Sequence, residues 1–311
     1  MTRIQWTDET WNPTRGCSKV SDGCRNCYAM RQAHRFSGPG QPYEGLTRTV
    51  PGKGPQWTGK VVTVPEMLTA PFRWRKPRRV FVDSMSDLFH TEVPREFIDR
   101  VFAVMALCPQ HTFQILTKRP ERMADYTQRR YMPGALNDAA RLHSLAPRRY
   151  MTAPSIEAWP LPNVWLGISA EQQGEYECRI GSLARTLAAV RFVSAEPLLG
   201  PIDFGLLGAC PADWGVGYDA VRSYVHWIIL GGESGPGARP CRVDWIRDGV
   251  RQCSEAGVAA FVKQLGSNAC VNVMTDSLAD VHPVRDRKGG DPAEWPEELM
   301  VREFPEQPDG N

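Results

Sequence analysis

Arg79-Val80-Phe81-Val82-Asp83-Ser84-Met85-Ser86-Asp87 runs through a short β-prone segment and then breaks into a polar tip. A brief apolar run bounded by turn formers reads as a strand buried on both faces. The pattern recurs along the chain. Residues 111–116 give way to Thr117-Lys118-Arg119-Pro120, and Val164-Trp165-Leu166-Gly167-Ile168 to Ser169-Ala170-Glu171. Arg191-Phe192-Val193 leads to Ser194-Ala195-Glu196-Pro197, and Trp227-Ile228-Ile229-Leu230 to Gly231-Gly232-Glu233-Ser234. Ala260-Phe261-Val262 ends in Lys263-Gln264. Between these runs, residues 94–107, 175–189 and 243–256 place apolar residues at helical spacing, with Pro94 near one start and Gly257 as a stop.

Buried strands alternating with amphipathic helices predict an α/β fold whose parallel sheet is covered by helices. The number of units, with a first strand at Ile4-Gln5-Trp6, suits a full or partial TIM-like βα barrel; a doubly wound open sheet is the alternative. Either architecture builds its site at the carboxyl ends of the strands, where all the polar tips fall. Residues 1–271 read as one such domain. It carries insertions near 37–59, 132–163 and 205–224, the first rich in Gly and Pro like a lid. Residues 272–311 form a more polar C-terminal extension expected to pack on it.

With 311 residues, 42% hydrophobic and 23% charged, the chain has the balance of an ordinary globular protein. A net charge of +2 does not mark a nucleic-acid binder, although Arg73-Trp74-Arg75-Lys76-Pro77-Arg78-Arg79 and Arg148-Arg149 are locally basic, as solvated loops or as a phosphate-contacting rim. No apolar run approaches the roughly 20 residues of a membrane span, so no membrane partner is expected. Six of the nine cysteines (Cys108, Cys178, Cys210, Cys241, Cys253, Cys270) are scattered. The odd total and the lack of pairing spacings argue against a secreted disulfide framework and for a reduced, cytoplasmic protein.

The other three cluster in Gly16-Cys17-Ser18-Lys19-Val20-Ser21-Asp22-Gly23-Cys24-Arg25-Asn26-Cys27, in the loop after the expected first strand. Structural zinc normally takes four protein ligands, and a fully ligated cubane takes four cysteines. Three thiolates can hold three irons of a 4Fe-4S cluster and leave the fourth open. Zinc remains the alternative, with His34 as the nearest fourth ligand.

In this layout the chain resembles the radical S-adenosylmethionine enzymes, which bind a four-iron cluster through three cysteines after the first barrel strand. The resemblance implies that the open iron chelates S-adenosylmethionine, and that an electron donor such as flavodoxin or ferredoxin drives its cleavage to a 5′-deoxyadenosyl radical. Six residues separate Cys17 from Cys24 where three are usual, and Asn26 rather than an aromatic residue precedes Cys27. A closer likeness spans nearly the whole chain. Ile4-Gln5-Trp6-Thr7-Asp8, Trp11-Asn12-Pro13, the triplet and the segments 81–90, 116–123, 231–240 and 261–266, with the tail through Trp295-Pro296, resemble a phage and prophage family of unassigned function that carries the same three-cysteine motif.

The resemblance implies cofactor contacts at the tips. Asp83, Ser84 and Asp87 stand where the methionyl amino group is met after the second strand, with helix capping as their alternative role. Ser169, Gly231, Gly232 and Glu233 are further candidates, the glycines also being readable as a tight turn. Lys118 and Arg119 are placed to meet a carboxylate or phosphate, or to form an exposed charge pair. Glu196 and Glu171, with Lys118, are the candidate catalytic groups, or else members of structural ion pairs. A lone His90 reads as structural or as an acid/base. The substrate class suggested by the basic and aromatic segments, Trp57 and Trp74 among them, is a nucleotide or nucleic-acid component. Two other readings remain: a zinc- or cluster-stabilised module that binds nucleic acid or protein without catalysis, and a zinc hydrolase using the carboxylate tips.

Overall fold

A computed structural model describes residues 4–130, 132–142, 155–205, 224–271, 280–281 and 285–306. Seven parallel strands form the main sheet: β1 (Glu9–Trp11), β2 (Arg79–Val82), β3 (Thr112–Thr117), β4 (Val164–Ser169), β5 (Val190–Ala195), β6 (Trp227–Gly231) and β7 (Ala259–Gln264). Strand order follows chain order from β1 to β7, without the reversal that marks a doubly wound sheet. The sheet curls into a half-barrel and stays open between its two outer strands.

The two-residue period of the strands sorts their side chains into separate cores. Val80, Val82, Leu166, Ile168, Ile228, Leu230 and Val262 face outward. They meet Phe97, Val101 and Met105 of α2 (Arg95–Ala106), Ile180 and Leu183 of α5 (Gln173–Arg185), and Ile246 of α6 (Val243–Ala256). Phe81, Trp165, Phe192, Trp227, Ile229 and Phe261 fill the inner face, joined by Trp6. Helices outside and large side chains inside make this the packing of a barrel wall.

The helical expectations fall within a few residues of α2, α5 and α6. Gly257 ends α6 in the left-handed region at φ 66°. The triplet is followed by α1 (Tyr28–Arg35). Two further helices, α3 (Pro120–Thr127) and α4 (Met132–Leu142), follow the β3 tip. The first strand is corrected: Glu9–Trp11, not Ile4-Gln5-Trp6, pairs with β2. Trp6 instead turns into the barrel, its ring 4.7 Å from that of Phe81. The chain is pinned on the way by the Asp8 carboxylate, which accepts the Arg79 amide at 2.8 Å.

The insertion at 37–59 contains an antiparallel hairpin, Thr47–Val50 with Gly54–Trp57. Its Trp57 and Leu46 pack on Ala29, Met30 and Ala33 of α1 in a third, small core. Much of the insertions at 132–163 and 205–224, with Arg148-Arg149 and Cys210, lies outside the described residues, as does part of 272–311. The described part of the extension buries Trp295 and Leu299 and bridges β7 in antiparallel fashion between Phe261 and Arg302. Among the described residues no helix is long and apolar enough to cross a membrane.

Candidate functional site

Because every strand runs the same way, the loop after β1 and the tips of β2 to β7 meet at one edge. There they enclose a cavity of about 260 Å³. Cys17, Cys24 and Cys27 line it together with Asp83, Ser84, Asp87, Lys118, Ser169, Glu196, Gly232 and Glu233. Glu171 and Gly231 stand behind the wall instead. Trp6 and Phe81 also border the cavity, and Tyr28 and Trp57 join them from α1 and the hairpin.

The three thiols are free and half-buried. Burial pushes the Cys17 thiol up to about 12 and raises Cys27. Burial also raises Cys24, but the Lys118 ammonium and hydrogen bonds from the Ser21 and Val20 backbone outweigh it and leave that thiol below the usual range. Lys118 and these hydrogen bonds thus set Cys24 apart from the other two thiols.

Two ion-pair clamps hold the cysteine loop against the strand tips. In the first, Glu171 accepts from the Ser21 hydroxyl at 3.0 Å and from Arg179 at 3.2 Å, and it pairs with Lys118. A Cβ on Gly23 would lie 2.3 Å from the Glu171 side chain, so the loop reaches this carboxylate only because that residue has none. In the second, Glu233 accepts from the Asn26 amide at 2.9 Å and from Arg239 at 2.7 Å. Arg239 also reaches Asp22 at 2.6 Å. Burial would raise the Glu233 carboxyl, but the Arg239 and Asn26 bonds hold it below the usual carboxylate range.

Asp83 and Asp87 share one tip but not one environment. Asp87 is saturated: Thr117 Oγ1, the Phe89 and Lys118 amides and Arg119 Nη1 all donate to it. It thereby orients Arg119, whose Nη2 donates to Ser18 Oγ at 2.8 Å beside Cys17. Asp83 accepts the Thr14 amide at 3.0 Å through Oδ1, while its buried Oδ2 has no partner. Burial pushes the Asp83 carboxyl up to about 8. Ser84 Oγ donates to Asn12, and Glu196 pairs with Lys263 at 3.0 Å inside the cavity.

His90 sits behind Ser18, 2.8 Å from its hydroxyl, and burial lowers its ring below the usual value. The Glu92 amide donates to Nδ1, leaving the proton of the neutral ring on Nε2. His34 spends both ring nitrogens on Thr47 and Thr49 of the hairpin. The basic run at 73–79 precedes β2 and so lies at the opposite, amino end of the sheet. There Arg78 pairs with Glu9 at 2.9 Å. The sequence reading missed Asn26, Arg179 and Arg239. Asn26 was within view inside the triplet, but nothing local marks the two arginines.

Among the described residues no three Cys, His, Asp or Glu side chains converge as the ligands of a single metal ion do. The donors at the cavity are instead three separate thiols, with the unpartnered Asp83 oxygen on the wall. A cubane cluster would take such a donor set, one thiolate to each of three irons.

No curated protein and no solved structure matches the chain. A model of a family described as "protein of unknown function (DUF5131)" matches residues 1–292 of the 311, and the chain belongs to that family.

Proposed function

We propose that the chain is an iron–sulfur enzyme of the radical S-adenosylmethionine type, acting on a nucleotide or nucleic-acid component. The observation that carries this reading is the shared cavity: three free cysteines of one loop face the strand tips of a half-barrel. Cys17, Cys24 and Cys27 would hold a 4Fe-4S cluster, with S-adenosylmethionine at its open iron. The bound pair supplies one-electron cleavage of the sulfonium and a radical that abstracts hydrogen, chemistry that belongs to the cofactor.

The chain's own residues bind, orient and shield. The Glu171 and Glu233 clamps fix the loop geometry. Arg119, aligned by Asp87, and Lys118 place positive charge beside the thiolates. Asp83 Oδ2 offers a buried acceptor for a methionyl ammonium, and the Glu196–Lys263 pair a polar end for ribose or substrate. Tyr28, exposed at the cavity mouth, supplies a flat surface on which a nucleobase can stack, and the buried Trp57 borders the cavity beside it. The engagement of His34 with the hairpin removes the expected fourth ligand of a zinc site and favours the cluster.

The test is anaerobic purification with iron, sulfide and zinc analysis, followed by dithionite and S-adenosylmethionine. Iron and sulfide near four per chain with release of 5′-deoxyadenosine support the reading. One zinc per chain with no cleavage overturns it in favour of a metal-stabilised binding module. A Cys27→Ala variant is expected to lose the metal and keep its far-ultraviolet circular dichroism.

A further inference from the structure

A second pocket, of about 520 Å³, adjoins the cysteine loop on its outer side. Lys19, Ser21, Asp22, Arg25 and Asn26 form one wall, and Gly52, Lys53 and Gln56 of the hairpin turn form the other. Asn26 lines both this pocket and the central cavity, so the two adjoin at the residue just before Cys27.

The charges of this pocket differ from those of the cavity. Lys118, Arg119, Lys263 and Arg239 are all committed to carboxylates. Lys19, Arg25 and Lys53 are exposed and belong to none of the ion pairs among the described residues. The pocket's one carboxylate, Asp22, is already paired with Arg239. Three unpaired cations thus converge from two chain segments, with hydroxyl and amide groups between them. Such a set favours an anion with several acceptor oxygens. The total charge of +2 makes the concentration local rather than general.

We infer that this pocket binds the phosphate groups of a nucleotide-class substrate, holding it so that an adjoining sugar or base reaches the cavity past Asn26. The inference deepens the proposed function and rests on it for the substrate class. The hairpin then supplies Lys53 to a phosphate, and its Trp57 borders the cavity that the ring system would enter. Lys19 and Arg25 add a fixed positive edge beside the cysteines.

The test is fluorescence anisotropy of the full chain with a labelled mixed-sequence single-stranded 12-mer, in DNA and RNA forms, with adenosine monophosphate and inorganic pyrophosphate as competitors. The variants are Lys53→Glu alone and Lys19→Gln with Lys53→Gln. Both residues are exposed, Lys53 in the hairpin turn, and their replacement leaves the cysteines and both clamps intact. The double variant is expected to weaken 12-mer binding at least tenfold. It should also flatten the salt dependence by a slope of about 1.4, at roughly 0.7 per lost phosphate contact on a single strand. Competition by the small phosphates at millimolar concentration assigns the site to free nucleotides. Resistance to them assigns it to a polynucleotide.

Unchanged affinity in both variants overturns the inference, as does failure of the parent chain to bind any phosphate probe. If the variants instead keep 12-mer affinity but lose reduction by flavodoxin and not by dithionite, the inference falls and the pocket belongs to an acidic redox partner. Iron content and 5′-deoxyadenosine release, measured on the same preparations, report on the proposed function separately. Binding without a cluster sinks that reading alone, and a working cluster without binding sinks the pocket alone.

Discussion

At the residue scale, Asp83 is the most exposed to test because it is strained, buried and half-satisfied. It is a non-glycine residue at φ 57°, with one unpartnered oxygen and a carboxyl pushed up to about 8 by burial. Its folded-state value thus lies above the unfolded one of 3.8. Below about pH 4 both states are protonated and the residue costs nothing. From there to about pH 8 only the unfolded state ionises, so stability falls with rising pH, and above that range the whole cost is present. Asp83→Asn keeps the acceptor for the Thr14 amide and tolerates the left-handed backbone. Its melting temperature should match the parent at about pH 4, exceed it increasingly up to about pH 8 and keep that gap above, and parallel curves would refute the assignment. Glu171 makes the opposite case. It is 1% exposed and ties Lys118, Arg179 and Ser21 together. Glu171→Ala takes the shared carboxylate from the buried Arg179 and the half-buried Lys118 and should cost about 3 kcal/mol in urea unfolding. A group held only for contact with substrate would leave the midpoint unmoved.

At the scale of elements, β4 and β5 show how the inner face is assembled. Gly167 of β4 lies in register with Phe192 of β5, and a Cβ on Gly167 would fall 2.6 Å from the Phe192 ring. Gly167→Val should therefore destabilise by about 1–3 kcal/mol through overpacking, measured by chemical denaturation. Gly167→Ala should cost less, and a neutral valine would mean that the ring turns aside freely. The strands and helices were legible because each carries its own periodicity: α6 follows its sequence pattern to the residue, and each polar tip follows its apolar run. The first strand was not, since Trp6 and Trp11 both look like strand residues and only tertiary contacts decide between them. Trp6 is drawn to Phe81 and Trp227, whereas Trp11 lies in the outer core with its Nε1 donating to Met67. The site was legible as a set of tips and not as a set of partners. Asp83 and Asp87 look alike in sequence, yet Arg119 and Thr117 satisfy one while the other keeps an oxygen without a partner. The Glu233–Asn26 bond spans 207 positions and has no local signature.

At the scale of the whole molecule, no further strand among the described residues closes the open side of the half-barrel, and aromatic side chains bridge it. Phe304 of the extension packs on Trp227 at 5.3 Å and on Phe261 at 5.4 Å, while Arg79 at the start of β2 lies over the same ring at 4.0 Å. One side chain thereby joins the β2 side of the sheet to β6 and β7. The backbone around it serves the same edge: the Val262 amide donates to Val301 at 2.8 Å, and the Glu303 amide to Ala260 at 2.8 Å. An exposed parallel edge strand is a template for self-association, and this segment covers it. All of these contacts lie toward the amino ends of the strands, away from the cysteines. Phe304→Ala should thus lower stability by about 2 kcal/mol, as expected for a partly buried aromatic side chain. A chain ending at residue 296 should associate with rising concentration in light scattering. Neither change touches the clamps on Ser21 and Asn26, so metal bound per folded chain should stay at the parent value. Loss of metal in Phe304→Ala at temperatures where circular dichroism shows it folded would mean that the two ends of the half-barrel are coupled, and that the aromatic bridge sets the spacing of the strand tips.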